Sequence, residues 1–155
     1  MSFGLNQHAK PANNHVRLPT LAQSSGNMGA PHSVLIVEDD HSVAHLFSIL
    51  AEDCGYSWTW IDGAASLPHA LRRADPDLIL LDLSINGADG AGVLRILAEQ
   101  KIRASIMIVS GADESVSAAA CRSGRSLGLA MAGYLVKPFK IETLIGVLLA
   151  HDGTA

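Results

Sequence analysis

The fold is decided by one stretch of the chain, Val34-Leu35-Ile36-Val37-Glu38-Asp39-Asp40. Its first four residues are apolar and mostly β-branched, which is typical of a short strand buried on both faces of a sheet. Three carboxylates follow this run without a spacer. We therefore expect a core strand that ends directly at a cluster of negative charge.

Strands and helices alternate along the rest of the chain. Further short apolar runs predict strands at 58–61, 78–81, 106–109 and 134–136. Apolar stripes at helical spacing lie between and after them, as in Val43, Leu46, Phe47 and Leu50, and in Ile141, Leu144, Ile145 and Leu148. A third helix is expected at about 90–100 and a long one within 112–130. The pattern predicts an α/β fold, a flavodoxin-like (βα)5 doubly wound parallel sheet with strand order 2-1-3-4-5.

Composition limits the function classes. The 155 residues are 48% hydrophobic, and the net charge is −4 with no run of Lys or Arg. Direct contact with nucleic acid or with an anionic membrane is therefore disfavoured. We find no secretory signal and no run long enough to span a bilayer, so we expect a cytoplasmic protein. We expect a flexible N-terminal tail over 1–32, a folded domain over 33–150 and a C-terminal tail over 151–155.

Polar residues end four of the five predicted strands: Glu38 and Asp39, Asp82, Ser110, and Lys137. The carboxyl ends of parallel strands lie at one edge of a sheet, so these side chains are expected to converge there. Three carboxylates in a partly buried site repel one another, and Mg²⁺, which prefers oxygen ligands, relieves that repulsion. Asp82 could then attack phosphorus, while Lys137 and Ser110 contact the phosphoryl oxygens.

Five motifs occur in order: Val-Leu-Ile-Val-Glu-Asp-Asp at 34–40, Pro-Asp-Leu-Ile-Leu-Leu-Asp-Leu at 76–83, Ala-Asp-Gly at 88–90, Val-Ser-Gly at 109–111 and Tyr-Leu-Val-Lys-Pro-Phe at 134–139. Together they resemble the receiver domain of bacterial two-component response regulators over residues 33–150. The resemblance implies a phosphoprotein of signal transduction rather than an enzyme of metabolism. It implies phosphotransfer to Asp82 from a histidine kinase or a histidine phosphotransfer protein.

The resemblance also implies roles for single residues. Asp39 and Asp82 would bind Mg²⁺ directly, Glu38 would bind it through water, and the main-chain carbonyl of Ser84 would be a further ligand. Ser110 and Lys137 would contact the phosphoryl group. Tyr134 would be the aromatic switch residue, and Pro138 would follow a cis peptide bond. The surface formed by the fourth helix, the fifth strand and the fifth helix would then change for a downstream protein partner.

Two features depart from the family pattern. Asn86 stands where the family usually has Pro, and the segment 111–136 is longer than usual, with extra residues around Arg122 to Met131 expected on the output face. No effector domain is seen after the fifth helix, so we expect a stand-alone, chemotaxis-regulator-like receiver. The alternatives are a phosphorylation-independent adaptor, which the two departures favour, and a phosphohydrolase. A phosphohydrolase of this kind would need a second acid two residues after Asp82, and this chain has Ser84 there.

Overall fold

A computed structural model describes residues 31–85 and 89–151 of the chain. Within these ranges five strands alternate with five α-helices. Their bounds are β1 Ser33–Val37, α1 His41–Asp53, β2 Ser57–Ile61, α2 Leu67–Ala74, β3 Leu78–Leu81, α3 Gly90–Glu99, β4 Ser105–Ser110, α4 Glu114–Ser126, β5 Ala130–Val136 and α5 Ile141–His151. A short 3₁₀ turn, Ala64–Ser66, precedes α2. The predicted tails lie almost wholly outside the described residues, and so does Asn86.

The five strands form one parallel sheet in the order β2-β1-β3-β4-β5, which confirms the predicted topology. Side chains alternate between its two faces, because successive residues of a strand point to opposite sides. In β1, Leu35 and Val37 join the apolar cluster under α2, α3 and α4, whereas Val34 and Ile36 join the cluster under α1 and α5. The sheet is therefore covered on both faces, and its functional groups emerge at its ends.

The turn from β1 into α1 is closed by Asp40. Its carboxylate accepts hydrogen bonds from the main-chain N–H groups of Ser42 at 2.9 Å and Val43 at 3.2 Å. This is an N-cap, and it satisfies two donors that the first turn of a helix leaves unpaired. Because the helix begins here, Glu38 and Asp39 are held between the strand end and the cap.

The buried face of two helices differs from the predicted stripes. Leu46 and Ile141 belong to the predicted apolar stripes, but their exposed fractions are 39% and 44%. In α1 the buried face includes the small residues Ala44, Ser48 and Ala51 beside Phe47 and Leu50. These small residues are buried with Phe47 and Leu50, and Leu46 faces solvent.

The long segment before β5 contains a helix within the predicted range 112–130, and β5 starts earlier than the predicted 134–136. The helix α4 ends at Ser126, and residues 130–133 belong to β5. Arg122 is exposed as expected, but Gly124 and Leu129 are buried and Met131 packs against the hydrophobic core. The extra residues thus fall in α4, β5 and the turn between them, with most of them exposed and these last three turned toward the core. The Ala- and Gly-rich start of β5 has low strand propensity, and pairing with β4 decides its conformation.

Candidate functional site

Main-chain hydrogen bonds align the strand ends that carry the predicted site. The N–H of Glu38 donates to the carbonyl of Ile61 at 3.2 Å, and the N–H of Asp82 donates to the carbonyl of Val37 at 2.9 Å. On the other side of the sheet, the N–H of Lys137 donates to the carbonyl of Ser110 at 2.8 Å. The residues just beyond β1, β3 and β5 are thus held in register at one edge.

Three carboxylates meet at this edge. One oxygen from each of Glu38, Asp39 and Asp82 lies within 4.8 Å of the other two. Glu38 and Asp82 are buried, whereas Asp39 is partly exposed. Two carboxylates that are both withdrawn from water and close together repel each other more strongly than on a surface. The structure therefore brings together the acids that the sequence predicted, in a site that favours a cation.

Lys137 supplies one positive charge to the cluster. Its Nζ lies 2.6 Å from Oε2 of Glu38 and 3.4 Å from Oδ2 of Asp82. Burial nevertheless raises the pKa of Glu38 from 4.5 to about 7, because the attraction of Lys137 does not offset desolvation and the charge of Asp82 adds to it. Burial lowers the pKa of Lys137, but its hydrogen bonds and charge interactions with Glu38 and Asp82 together outweigh burial, so the net pKa is raised. Lys137 is thus positively charged, but its single charge does not balance the three acidic side chains of the cluster.

The Asp82 carboxylate is oriented by two different contacts. Oδ1 accepts a hydrogen bond from the N–H of Ser84 at 2.8 Å, and Oδ2 is the oxygen that faces Lys137. The hydroxyl of Ser110 is buried at the end of β4 and accepts from the N–H of Ala112 at 3.2 Å. A buried hydroxyl can also donate its own hydrogen, so Ser110 retains the capacity to bind an anionic oxygen.

Tyr134 lies in β5 opposite Ile108, on the face that α4 covers. Its hydroxyl donates to Oε1 of Glu114 in the first turn of α4 at 3.3 Å. Partial burial and the negative charge of Glu114 raise the pKa of this hydroxyl. The Lys137–Pro138 peptide bond is cis, as the resemblance implied.

Sequence reasoning missed an aromatic pair beside the acids. The indole Nε1 of Trp60 donates to the main-chain carbonyl of Glu38 at 2.8 Å. The ring of His41 meets that indole edge-on, with 4.7 Å between ring centroids and an interplanar angle of 79°. The strand β2 lies at the edge of the sheet, and the sequence predicted no site residue on it. The available signal was a tryptophan donor one residue before the end of a strand that neighbours β1.

The donor set fits Mg²⁺. This ion takes oxygen ligands at about 2.0–2.1 Å, so two oxygens bound to it lie at most about 4.2 Å apart. The three acidic oxygens lie within 4.8 Å of one another, so small side-chain adjustments bring them onto one ion. A bridging water in place of one direct contact would relax the requirement further.

Comparisons with known proteins agree with this geometry. The sequence pattern of the family described as the response regulator receiver domain matches residues 34–149. DNA-binding response regulator MtrA of Mycobacterium tuberculosis is 30% identical over 118 residues, which are 76% of this chain and 49% of that protein. Transcriptional regulatory protein KdpE of Staphylococcus aureus is 28% identical over 111 residues, covering 72% and 46%. The chain thus spans about half the length of these curated relatives.

Two solved structures share the fold. The receiver domain of the Francisella response regulator 1452 has a TM-score of 0.66 and 25% identity, and the match covers 79% of this chain and 96% of that one. The receiver domain of a LuxO repressor protein from Vibrio parahaemolyticus has a TM-score of 0.67 and 24% identity, with 79% and 90% covered. Among the described residues, no helix has the length and apolar character needed to cross a bilayer.

Proposed function

This chain belongs to the family of response regulator receiver domains, and from that premise we propose that it accepts a phosphoryl group on Asp82. Receiver domains interact with histidine kinases and generally bind Mg²⁺ at an acidic pocket. One observation carries the proposal for this residue. The buried Asp82 carboxylate shares its site with Glu38 and Asp39 and lies 3.4 Å from the Lys137 ammonium group.

In the proposed reaction, a carboxylate oxygen of Asp82 attacks the phosphorus of a phosphohistidine on the donor protein. An O–P bond forms, the P–N bond breaks, and its electron pair stays on the imidazole nitrogen, which takes up a proton from water. Lys137 supplies positive charge beside the attacking carboxylate, since its Nζ already contacts Oδ2. As phosphoryl oxygens arrive, we expect this ammonium group to leave Glu38 and bind one of them.

The metal would be held by the carboxylates of Asp39 and Asp82 and the main-chain carbonyl of Ser84, with Glu38 acting through water. When bound, Mg²⁺ would supply charge that neutralises the transferring phosphoryl oxygens. Glu38 is suited to the outer position because it is buried and its Oε1 already accepts the N–H of Asp40 at 3.1 Å. The chain's own contribution is to hold these oxygens in place before the donor arrives.

The switching step of the proposal connects Ser110 to Tyr134. Ser110 lies at the end of β4 two residues after Ile108, the residue that Tyr134 pairs with, and both side chains belong to the α4 side of the sheet. A phosphoryl group on Asp82 would draw the Ser110 hydroxyl toward it and leave room for the Tyr134 ring. Tyr134 would then release Glu114, and the surface of α4, β5 and α5 would change for a downstream protein partner.

We further propose that 33–150 acts as the receiver domain and that it works in the cytoplasm. Some of the curated relatives are named as DNA-binding regulators, and this chain spans about half of their length. The absence of direct nucleic-acid contact in this chain therefore stays a prediction.

The test is phosphorylation by a small acyl phosphate in the presence of Mg²⁺, followed by mass spectrometry of the intact protein. We expect the wild type to gain one phosphoryl group and Asp82→Asn to gain none. Asp62→Asn is the matched control, because Asp62 is an exposed acid after β2 and lies outside the acidic cluster. Phosphorylation of Asp82→Asn at the wild-type level would show that another residue accepts the group.

A further inference from the structure

We propose that Trp60 is a positioning residue for the acidic site, and that its indole N–H holds the main chain that carries the metal-binding acids. The inference rests on the proposed function, because it concerns the Mg²⁺ that Glu38 and Asp39 would hold. Trp60 touches neither the metal nor the phosphoryl group in this proposal. It acts through the Glu38 carbonyl, to which its Nε1 donates at 2.8 Å.

The first step of the argument is the end of the β1–β2 ladder. The last paired residues are Val37 and Ile61, and the N–H of Glu38 still donates to the Ile61 carbonyl. The strand β2 ends at Ile61, so no strand residue is left to donate to the carbonyl of Glu38. A buried carbonyl without a donor is unfavourable. The indole of Trp60 takes the place of the missing ladder donor.

The second step is that the indole itself has little freedom. Trp60 packs against the apolar cluster on the α1 and α5 side of the sheet, and His41 abuts its ring edge-on at 4.7 Å. His41 opens α1 directly after the Asp40 cap. The donor is therefore braced by the sheet on one side and by the start of a helix on the other.

The third step concerns Glu38, which is held at three points. Trp60 binds its main-chain carbonyl, the N–H of Asp40 binds Oε1 at 3.1 Å, and Lys137 binds Oε2 at 2.6 Å. Asp39 is the next residue, so the hydrogen bond from Trp60 to the Glu38 carbonyl also fixes the position of the Asp39 main chain. Mg²⁺ requires near-octahedral geometry, so a small displacement of these acids weakens its binding.

The chain offers a matched control on the same strand. Its second tryptophan, Trp58, points to the same face of β2 two residues earlier and is 45% exposed. It lies at the far end of the strand from Glu38. Replacing either tryptophan with phenylalanine removes one indole N–H and keeps a ring, so the pair of variants isolates the hydrogen bond to Glu38.

The first measurement is isothermal titration calorimetry of each protein with MgCl₂. We expect Trp60→Phe to weaken Mg²⁺ binding by about tenfold, as is usual for the loss of an outer contact that orients a ligand, and Trp58→Phe to leave it unchanged. In phosphorylation by a small acyl phosphate, the Mg²⁺ concentration for half-maximal rate should rise with the same factor. The rate at saturating Mg²⁺ should stay within about twofold of wild type, whereas a general loss of structure would lower it.

The second measurement does not depend on how well Trp60→Phe folds. In Trp58→Phe, Trp60 is the single tryptophan, and its fluorescence should change on adding Mg²⁺ with the half-saturation found by calorimetry. A divalent cation beside Glu38 would alter the electric field at the Trp60 indole, which is hydrogen-bonded to the Glu38 main-chain carbonyl. The positioning role of Trp60 would be overturned if the two variants bound Mg²⁺ with equal affinity. It would also be overturned if Trp60 fluorescence did not change while Mg²⁺ bound. Failure of the wild type to bind Mg²⁺ would instead remove the proposed function itself.

Discussion

The metal-free protein should lose stability as the pH rises, and Glu38 should be the main cause. Burial raises the pKa of Glu38 from its ordinary value of 4.5 to about 7. Between these two pH values the folded protein retains a proton that the unfolded chain releases. The folded state binds more protons than the unfolded state in this window, so the free energy of unfolding falls as the pH rises through it.

The size of the effect follows from the two pKa values. For one group that titrates at 4.5 when unfolded and at about 7 when folded, going from about pH 5 to about pH 8 lowers the free energy of unfolding by about 2–3 kcal/mol. Glu38→Gln removes this contribution. Glutamine is nearly isosteric and keeps an oxygen that can accept the N–H of Asp40. Glutamine loses the hydrogen bond from Lys137 at every pH, because its NH2 group cannot accept it. Relative to the wild type, the variant should therefore gain about 2–3 kcal/mol of stability between about pH 5 and about pH 8.

The assay is urea unfolding, followed by circular dichroism at several pH values in the presence of a metal chelator. Titrating groups away from the site contribute equally to both proteins, so the comparison isolates Glu38 together with its neighbours Lys137 and Asp82. Glu52→Gln is the control, because it makes the same substitution at an exposed carboxylate near the end of α1, outside the acidic cluster. If the wild type and Glu38→Gln lose stability in parallel as the pH rises, the account of the buried acids is wrong.

Two stability predictions follow from α1. Leu50→Ala should destabilise the protein by about 2–4 kcal/mol because Leu50 is 5% exposed, whereas Leu46→Ala should cost less than about 1 kcal/mol because Leu46 is 39% exposed. Equal losses in urea unfolding would contradict the observed burial of these two side chains. Asp40→Ala should lower the free energy of unfolding by about 1 kcal/mol, since it removes the side chain that accepts from Ser42 and Val43, and Asp40→Asn should retain most of that stability.

Much of the fold could be predicted because its central strands are short apolar runs, which the folded protein must bury. The run Leu78–Leu81 is apolar throughout and lies on both hydrophobic faces, so the predicted bounds of β3 match the observed ones. The parallel order followed from the alternation of strands and helices and from the handedness of their crossovers. Periodicity was less informative for α1, where a Leu at the correct spacing faces solvent and the neighbouring small residues face the sheet.

The start of β5 shows the limit of local signals. Ala130 to Gly133 has the composition of a helix end or a loop, and its strand conformation comes from pairing with β4, a contact between segments distant in sequence. The shift in the β4–β5 pairing register between Ile106 and Met107 also arises from contact between these two strands. Neither depends on the residues of the segment alone.

For the site, the sequence by itself determined which groups stand at the strand ends: Glu38, Asp39, Asp82, Ser110 and Lys137. Each lies where an apolar run stops, and a parallel sheet brings such ends to one edge. Only the tertiary structure decided how those groups interact. The raised pKa of Glu38 and the bond from Trp60 to its carbonyl depend on burial and on the distance between separate strands, and neither quantity is local to any stretch of the chain.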